Sequence, residues 1–322
     1  MNNEFNYAGP TALYASITGS PLWGLKVEEV VLARQHSGWR LNFGERVQTP
    51  YGLGPQVFHF TVPGNGREVI WIPSYGGILG EDFDSVLTPG RRLFWILWKA
   101  GVKVLLIGGT GGTNDWRDPS AEKAIRPGDV MLPWSFIRQQ PMLGVLPGTG
   151  IGGLLPNLPR LADPFCVGLS DWLADRLESI GFFRRVHRTS DVHVILKSPL
   201  GEGSFESAAE TLQDRVLARL MSDEGGIPVV YEHGDCISPL MCRHLGIHQA
   251  YYHIAANWAE GHPAAEGVLT EKLDALYVDD LPHRMLDFEN AVLQSVQIPI
   301  DCTCLSLLKK RPDVYMKAMT SV

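Results

Sequence analysis

Short apolar runs that suit strands alternate along this chain with longer segments of helical period. That alternation limits the fold more than any other feature, because it calls for a sheet covered by helices. Residues 12–19 (ALYASITG) predict a strand entering a turn. Residues 57–62 and 68–73 predict two more, parted by the turn residues Pro63, Gly64, Asn65 and Gly66. Residues 89–101 predict a helix with Thr88 as N-cap, Pro89 in the first position and Gly101 as the stop. A buried strand at 103–107 then runs into the loop Gly108-Gly-Thr-Gly-Gly112. Residues 169–180 predict an amphipathic helix with Leu173, Leu177 and Ile180 on one face, Ser170 as cap and Gly181 as stop. Strands at 192–196, 228–231 and 249–256 alternate with helices at 204–221 and 239–245, and helix continues to about residue 294. A Gly/Pro-rich stretch at 141–159 reads as a surface crossing or a lid. The expectation is an α/β fold with a central mixed, largely parallel sheet flanked by helices. No repeat or linker divides it, so residues 1–322 read as a single domain with a helical C-terminal part from about residue 266.

Charge and cysteine content narrow the partners. The net charge of −7 disfavours nucleic acid and acidic membrane surfaces, whereas a small anion such as phosphate needs only a local nest of donors. With 45% hydrophobic and 20% charged residues the composition is that of a folded globular chain. The opening MNNEFNYAG has no signal-peptide pattern, and the apolar runs at 93–98 and 104–107 are too short to span a membrane. Five cysteines, an odd and sparse set, fit a reduced, cytoplasmic protein. Cys302 and Cys304 form a C-x-C pair that reads as two ordinary thiols or as a redox clip; no metal is expected, because no second ligand pair has suitable spacing.

Three segments carry candidate chemistry. Gly203-Ser-Phe-Glu-Ser-Ala-Ala-Glu210 places Phe205 and Glu206 in a strand-to-helix turn. The carboxylate there can accept from a base edge and the phenyl ring can cover a flat heterocycle; equally, Ser204 can cap the helix and Glu206 stabilise its positive end. Asn257, at the end of the apolar run 250–256, offers one donor group and one acceptor, or else bonds its own backbone as turn asparagines do. Gly108–Gly112 can bring backbone N–H groups close to a ligand, or be a plain junction; it matches neither a dinucleotide fingerprint nor a P-loop.

In this order the three pieces resemble the trimeric purine nucleoside phosphorylase and methylthioadenosine phosphorylase family. Val47-Gln-Thr-Pro-Tyr-Gly52, Ile125-Arg-Pro-Gly-Asp-Val-Met-Leu132, Ala162-Asp-Pro-Phe-Cys166 and Ser204-Phe-Glu-Ser-Ala-Ala-Glu210 are similar to family segments in collinear order, from about Ala12 to Leu269. The resemblance implies a nucleoside phosphorylase-like fold in which Glu206 binds the base at N1, Asn257 binds N7 and O6, and Phe205 packs on the purine. It places His233 at the sugar and His262 as a candidate for the sugar's O5′. It puts phosphate at Ser20 and Thr18, at the Gly109 and Thr110 backbone, and near Ser74 and Tyr75. It also implies a homotrimer that takes a purine nucleoside and inorganic phosphate, with no other cofactor. The Glu/Asn pair points to a 6-oxopurine. One departure stands out: Ile72-Pro-Ser-Tyr-Gly76 has neither Arg nor His where the family holds phosphate with them, so Ser74 and Tyr75 supply neutral donors. Arg91 and Arg92 are near in sequence and either compensate or are surface charge. The implied reaction is phosphorolysis of the N-glycosidic bond. Water in place of phosphate would make a nucleosidase, with Glu81, Asp82 and Asp84 as candidate activators, and a silent homologue would bind purine nucleosides without turnover.

Overall fold

The period-2 pattern of the strands sends alternate side chains to opposite faces of one sheet. On β1 (Tyr14–Ile17), β4 (Glu68–Ile72) and β5 (Val104–Asn114), Ala15, Ile17, Ile70, Ile72, Leu105 and Ile107 point to one face. Val69, Trp71, Val104 and Leu106 point to the other, with Ala250 and Tyr252 of β11 (His248–Trp258). Both faces are apolar, as a sheet covered on two sides requires. Helix α1 (Val27–His36), α3 (Val167–Ser179) and α6 (Leu281–Ser295) cover the second face through Val30, Leu173 and Met285. Helix α2 (Leu87–Lys99) and α5 (Ser238–Leu245) cover the first through Phe94, Leu97 and Met241. This computed structural model describes residues 6–73, 87–118, 120–138, 163–198, 208–220, 228–231, 238–265, 276–300 and 302–304.

The sheet runs β2 (Arg40–Thr49), β3 (Gly52–Thr61), β4, β1, β5, β10 (Val229–Tyr231), β9 (Ile195–Ser198), β7 (Ser135–Arg138). It is mixed: β4, β1, β5 and β11 are mutually parallel, while β2, β3 and β4 form an antiparallel meander. The long β5 organises the branch point. Its first half lies between β1 and β11, and its tip pairs with antiparallel β10 through Thr113 and Asn114. Beyond β11 lie β6 (Val130–Met131) and β8 (Val186–His187). Helix α4 (Ala208–Leu220) docks on the tip of β5, where Asn114 Nδ2 donates to Thr211 O at 3.1 Å.

Two expectations change. Gly108–Gly112 is not a loop: it continues β5, with Gly108, Gly109, Thr110 and Gly111 opposite Tyr252, His253, Ile254 and Ala255. The glycines serve packing, since a Cβ on Gly108 would lie 2.3 Å from the hydroxyl oxygen of buried Tyr252. Helix starts also fall earlier than their expected caps. Helix is already formed at Leu87, so Thr88 and Pro89 lie inside its first turn, where proline is tolerated. In α3 the N-cap is Cys166, and Ser170 N–H donates to Cys166 O at 2.8 Å. The stretch 141–159 lies outside the described residues.

Candidate active site at the strand ends

β1 ends at Ile17 beside Ile107, while β5 and its parallel neighbour β11 run on together to Thr113 and Trp258; loops leaving carboxyl ends such as that of β1 are where sheets of this kind bind ligands. Beyond β1 the chain turns at Gly19 (φ 57°) into a short 3-10 turn, Ser20–Leu22, which sets Ser20 half-buried beside β5. Thr110 Oγ1 donates to Ser20 Oγ at 2.7 Å, and Tyr277 OH donates to Thr110 Oγ1 at 2.5 Å. Tyr277 comes from a single π-helical turn, Leu276–Asp280, just before α6. The two turns touch closely: a Cβ on Gly24 would lie 2.0 Å from Tyr277 O. Oriented with Tyr277 and Thr110 donating inward, the chain leaves Ser20 its own proton to donate elsewhere; each hydroxyl can also rotate to the reverse sense.

Asn257 lies next door on β11, opposite Gly112, where the register slips between Ala255 and Asn257. Its Nδ2 donates to Trp258 O at 2.8 Å. A carbonyl can only accept, so this bond fixes the amide's orientation. One N–H and the whole of Oδ1 remain outside it. The local backbone bond expected of a turn asparagine is therefore present, and it leaves ligand-binding capacity over.

Thr18 does not face the same space. It is fully buried, donating to Glu289 Oε1 (2.9 Å) and accepting from Trp71 Nε1 (2.6 Å). Glu289 also accepts from Arg34 Nη2 at 2.5 Å, and Arg34 Nε donates to Asn290 Oδ1 at 2.9 Å. Arg34 is fully buried with its guanidinium 4.8 Å from the Trp71 ring. Burial lowers its pKa, and the Glu289 carboxylate pushes back. Thr18 thus anchors the end of β1 to α1 and α6 rather than offering a hydroxyl to a ligand. Gly109, expected as a backbone donor, is held in the ladder opposite His253. His262 is likewise engaged. Its Nδ1 accepts from Ala264 N (3.1 Å), which makes Nε2 the protonated nitrogen, and that nitrogen bonds Asp115 O (2.9 Å). The ring stacks on Trp258 at 4.3 Å between centroids, and burial lowers its pKa. It holds the chain after β11 and has no ring nitrogen left for a sugar.

Glu206, Phe205, His233, Ser74 and Tyr75 lie outside the described residues. Sequence reasoning missed Tyr277; only its helical surroundings were visible, and nothing marks one tyrosine among nine. A cavity of about 460 Å³ opens at the opposite ends of the strands, lined by Leu13, Tyr14, Arg67 and Gly101. Arg67 there donates its Nη1 to the carbonyls of Leu293 and Val296, and its guanidinium lies 4.3 Å from the Tyr14 ring.

The sheet and its branch point are those of the nucleoside phosphorylase fold. The chain matches a methylthioadenosine phosphorylase from an antarctic soil metagenomic library over 97% of its own length and 99% of the other, with TM-score 0.63 and 15% identity. Against the methylthioadenosine phosphorylase from Schistosoma mansoni in complex with adenine, coverage is 97% and 98%, TM-score 0.62 and identity 15%. Against the purine nucleoside phosphorylase of the same organism in complex with adenosine, coverage is 89% and 92%, TM-score 0.58 and identity 15%. No family model and no curated protein sequence matches the chain.

Proposed function

We propose that this protein cleaves the N-glycosidic bond of a purine nucleoside by phosphorolysis, releasing the free base and a pentose 1-phosphate. The observation that carries this reading is the pairing of Ser20, just past the carboxyl end of β1, with Thr110 in the middle of β5, and Asn257 near the end of the adjoining β11. Solved structures of the same fold are purine nucleoside and methylthioadenosine phosphorylases, one of them holding ribose-1-phosphate.

In this reading phosphate sits against Ser20, whose hydroxyl proton is directed outward by the Tyr277–Thr110–Ser20 chain. Its oxygen attacks C1′ as the bond to N9 breaks. The bonding electrons enter the purine, and the charge is neutralised by a proton taken up at N7 from solvent, balanced by the proton that hydrogen phosphate gives up as it becomes the pentose 1-phosphate. Asn257 Oδ1 accepts from that N7–H, and the second Nδ2 proton serves O6. Placing such a dipole where charge develops is what lowers the barrier. The Glu206 carboxylate accepts from N1–H, which a 6-oxopurine has and adenine lacks. Inorganic phosphate is the co-substrate, no other cofactor is required, and the working form is a cytoplasmic homotrimer. Neutral donors are weaker than charged ones, about 0.5–1.5 against 1.5–3 kcal/mol each. The proposal therefore includes a high KM for phosphate. The same neutral site favours hydrolysis as the second reading, with water at C1′.

Asn257→Ala tests the role of the amide. Turnover is expected to fall about 100-fold or more while nucleoside binding by calorimetry changes less than tenfold, the signature of an interaction made in the transition state. Equal losses in both would reduce Asn257 to a binding contact, and unchanged turnover would remove it from the site.

A further inference from the structure

The C-x-C pair that reads as two ordinary thiols in the sequence does not stand alone in the fold. Cys166, His248, Cys302 and Cys304 bring three sulfurs and one imidazole nitrogen together, each ligand atom within 4.8 Å of the others. Cys166 caps the start of α3, His248 opens β11, and the C-x-C pair follows α6. Cys166 and Cys302 sulfurs lie 3.6 and 3.3 Å from His248 Nδ1. Cys166, His248 and Cys304 are buried and Cys302 is half-buried. All three cysteines are free thiols.

We infer that this cluster is a structural zinc site of the Cys3His type. Four atoms no more than 4.8 Å apart all lie within about 2.9 Å of one common point. Zinc bonds sulfur at about 2.3 Å and imidazole nitrogen at about 2.0–2.1 Å, so a tetrahedron has S–N edges near 3.6 Å. The two measured S–N distances bracket that edge, and a contraction of well under 1 Å closes the rest. Three thiolates and one imidazole suit a soft, four-coordinate ion with no open position.

The surroundings fit the charge. Three thiolates and Zn²⁺ leave one negative charge, and the buried Arg243 guanidinium stands beside it, donating Nη1 to Cys304 O at 2.8 Å. Cys166 sits at the positive end of α3, where a thiolate is favoured. On binding, the Cys166, Cys302 and Cys304 thiols lose their protons to solvent as the three Zn–S bonds form. A disulfide, the rival chemistry, pairs only two of the three sulfurs and leaves a thiol against the imidazole. The metal ties the segment 302–304 to the starts of α3 and β11, at the opposite end of β11 from Asn257. The inference does not depend on the proposed reaction.

The test is metal content of the purified full chain, followed by replacement with Co²⁺. The expected result is about one zinc per chain by plasma mass spectrometry, and a cobalt form with sulfur-to-cobalt charge transfer and intense tetrahedral ligand-field bands. Zinc removal with a chelator exposes three additional thiols to a disulfide reagent. Cys302→Ser, at the half-exposed ligand, weakens zinc binding by at least about a hundredfold, beyond the 10–100-fold typical of losing an outer partner. Less than a tenth of an equivalent of metal after incubation with zinc overturns the inference. So does an intact mass two hydrogens light, which identifies the redox clip, or zinc content unchanged in Cys302→Ser. Should that variant not fold, the cobalt spectrum of the unaltered chain decides.

Discussion

Arg34→Met tests whether the buried ion pair supports the end of β1, where the candidate phosphate residues begin. Methionine keeps most of the apolar stem and its volume, so the loss is mainly of charge and hydrogen bonds. Arg34 gives 2.5 and 2.9 Å bonds to Glu289 and Asn290 and lies 4.8, 5.3 and 5.4 Å from the rings of Trp71, Phe60 and Trp39. Removing it leaves Glu289 as a buried charge with only the Thr18 hydroxyl to hold it. Breaking one side of a buried pair costs about 3–5 kcal/mol. With about 2.1 cal/mol/K of unfolding entropy per residue, 322 residues give roughly 0.7 kcal/mol/K. The melting temperature should fall by about 4–7 °C in calorimetry. Glu289→Gln keeps an acceptor for Thr18 while removing the charge. The Arg34→Met/Glu289→Gln double variant should therefore recover about half the Arg34→Met loss, about 2 kcal/mol. A single-variant shift under about 1 °C, or strictly additive losses, would refute the reasoning.

Other perturbations follow from the same packing and site. Gly108→Val drives a side chain into the buried Tyr252 ring, which is packed edge-on against Phe288, and should cost about 3 kcal/mol or more in urea unfolding; a stable variant would mean that β5 and β11 are not in contact there. Burial holds the His253 pKa down to about 3 and that of His244 to about 4, against about 6.5 unfolded. Both are neutral when folded, so their stabilising effect is full above pH 6.5 and is lost as pH falls toward those values. At pH 5 each costs about 2 kcal/mol, and Asp129 adds a further loss below about pH 4: burial raises its pKa, but hydrogen bonds from His187, Arg184 and Arg126 N–H outweigh that. A urea midpoint unchanged between pH 7.5 and pH 5 would contradict the assignment of neutral buried histidines. Tyr277→Phe removes the first donor of the hydroxyl chain and should raise KM for phosphate about threefold to tenfold, with a smaller change in KM for nucleoside; equal effects on both would mean that Tyr277 acts on the fold and not on Ser20.

Much of the sheet was legible because its strands carry their pattern locally. β1, the β3–β4 turn, β10 and α5 lie close to where alternation and turn residues put them. β2 was missed: Arg40-Leu-Asn-Phe-Gly-Glu-Arg-Val-Gln-Thr49 is polar and largely uncovered at a sheet edge, so burial does not write a pattern into it. α1 was missed for a related reason, since its fully buried side chains are Val30 and a charged Arg34 whose partner lies far along the chain. The glycine run of β5 was misread because glycine disfavours strands on its own, and only the approach of Tyr252 explains its use. The resemblance singled out Ser20, Thr110 and Asn257 as candidates, and the fold sets them beyond β1, on β5 and on β11. Tyr277 and the Cys166–His248 half of the sulfur cluster were not legible, because three-dimensional proximity between distant segments leaves no spacing to read.

The most direct test of the proposed reaction is release of free base from inosine, guanosine and 5′-methylthio nucleosides with and without inorganic phosphate. Phosphorolysis predicts release that requires phosphate, appears with stoichiometric pentose 1-phosphate, and saturates only at high phosphate. Equal release in phosphate-free buffer, or tight nucleoside binding with no release in either, would contradict it.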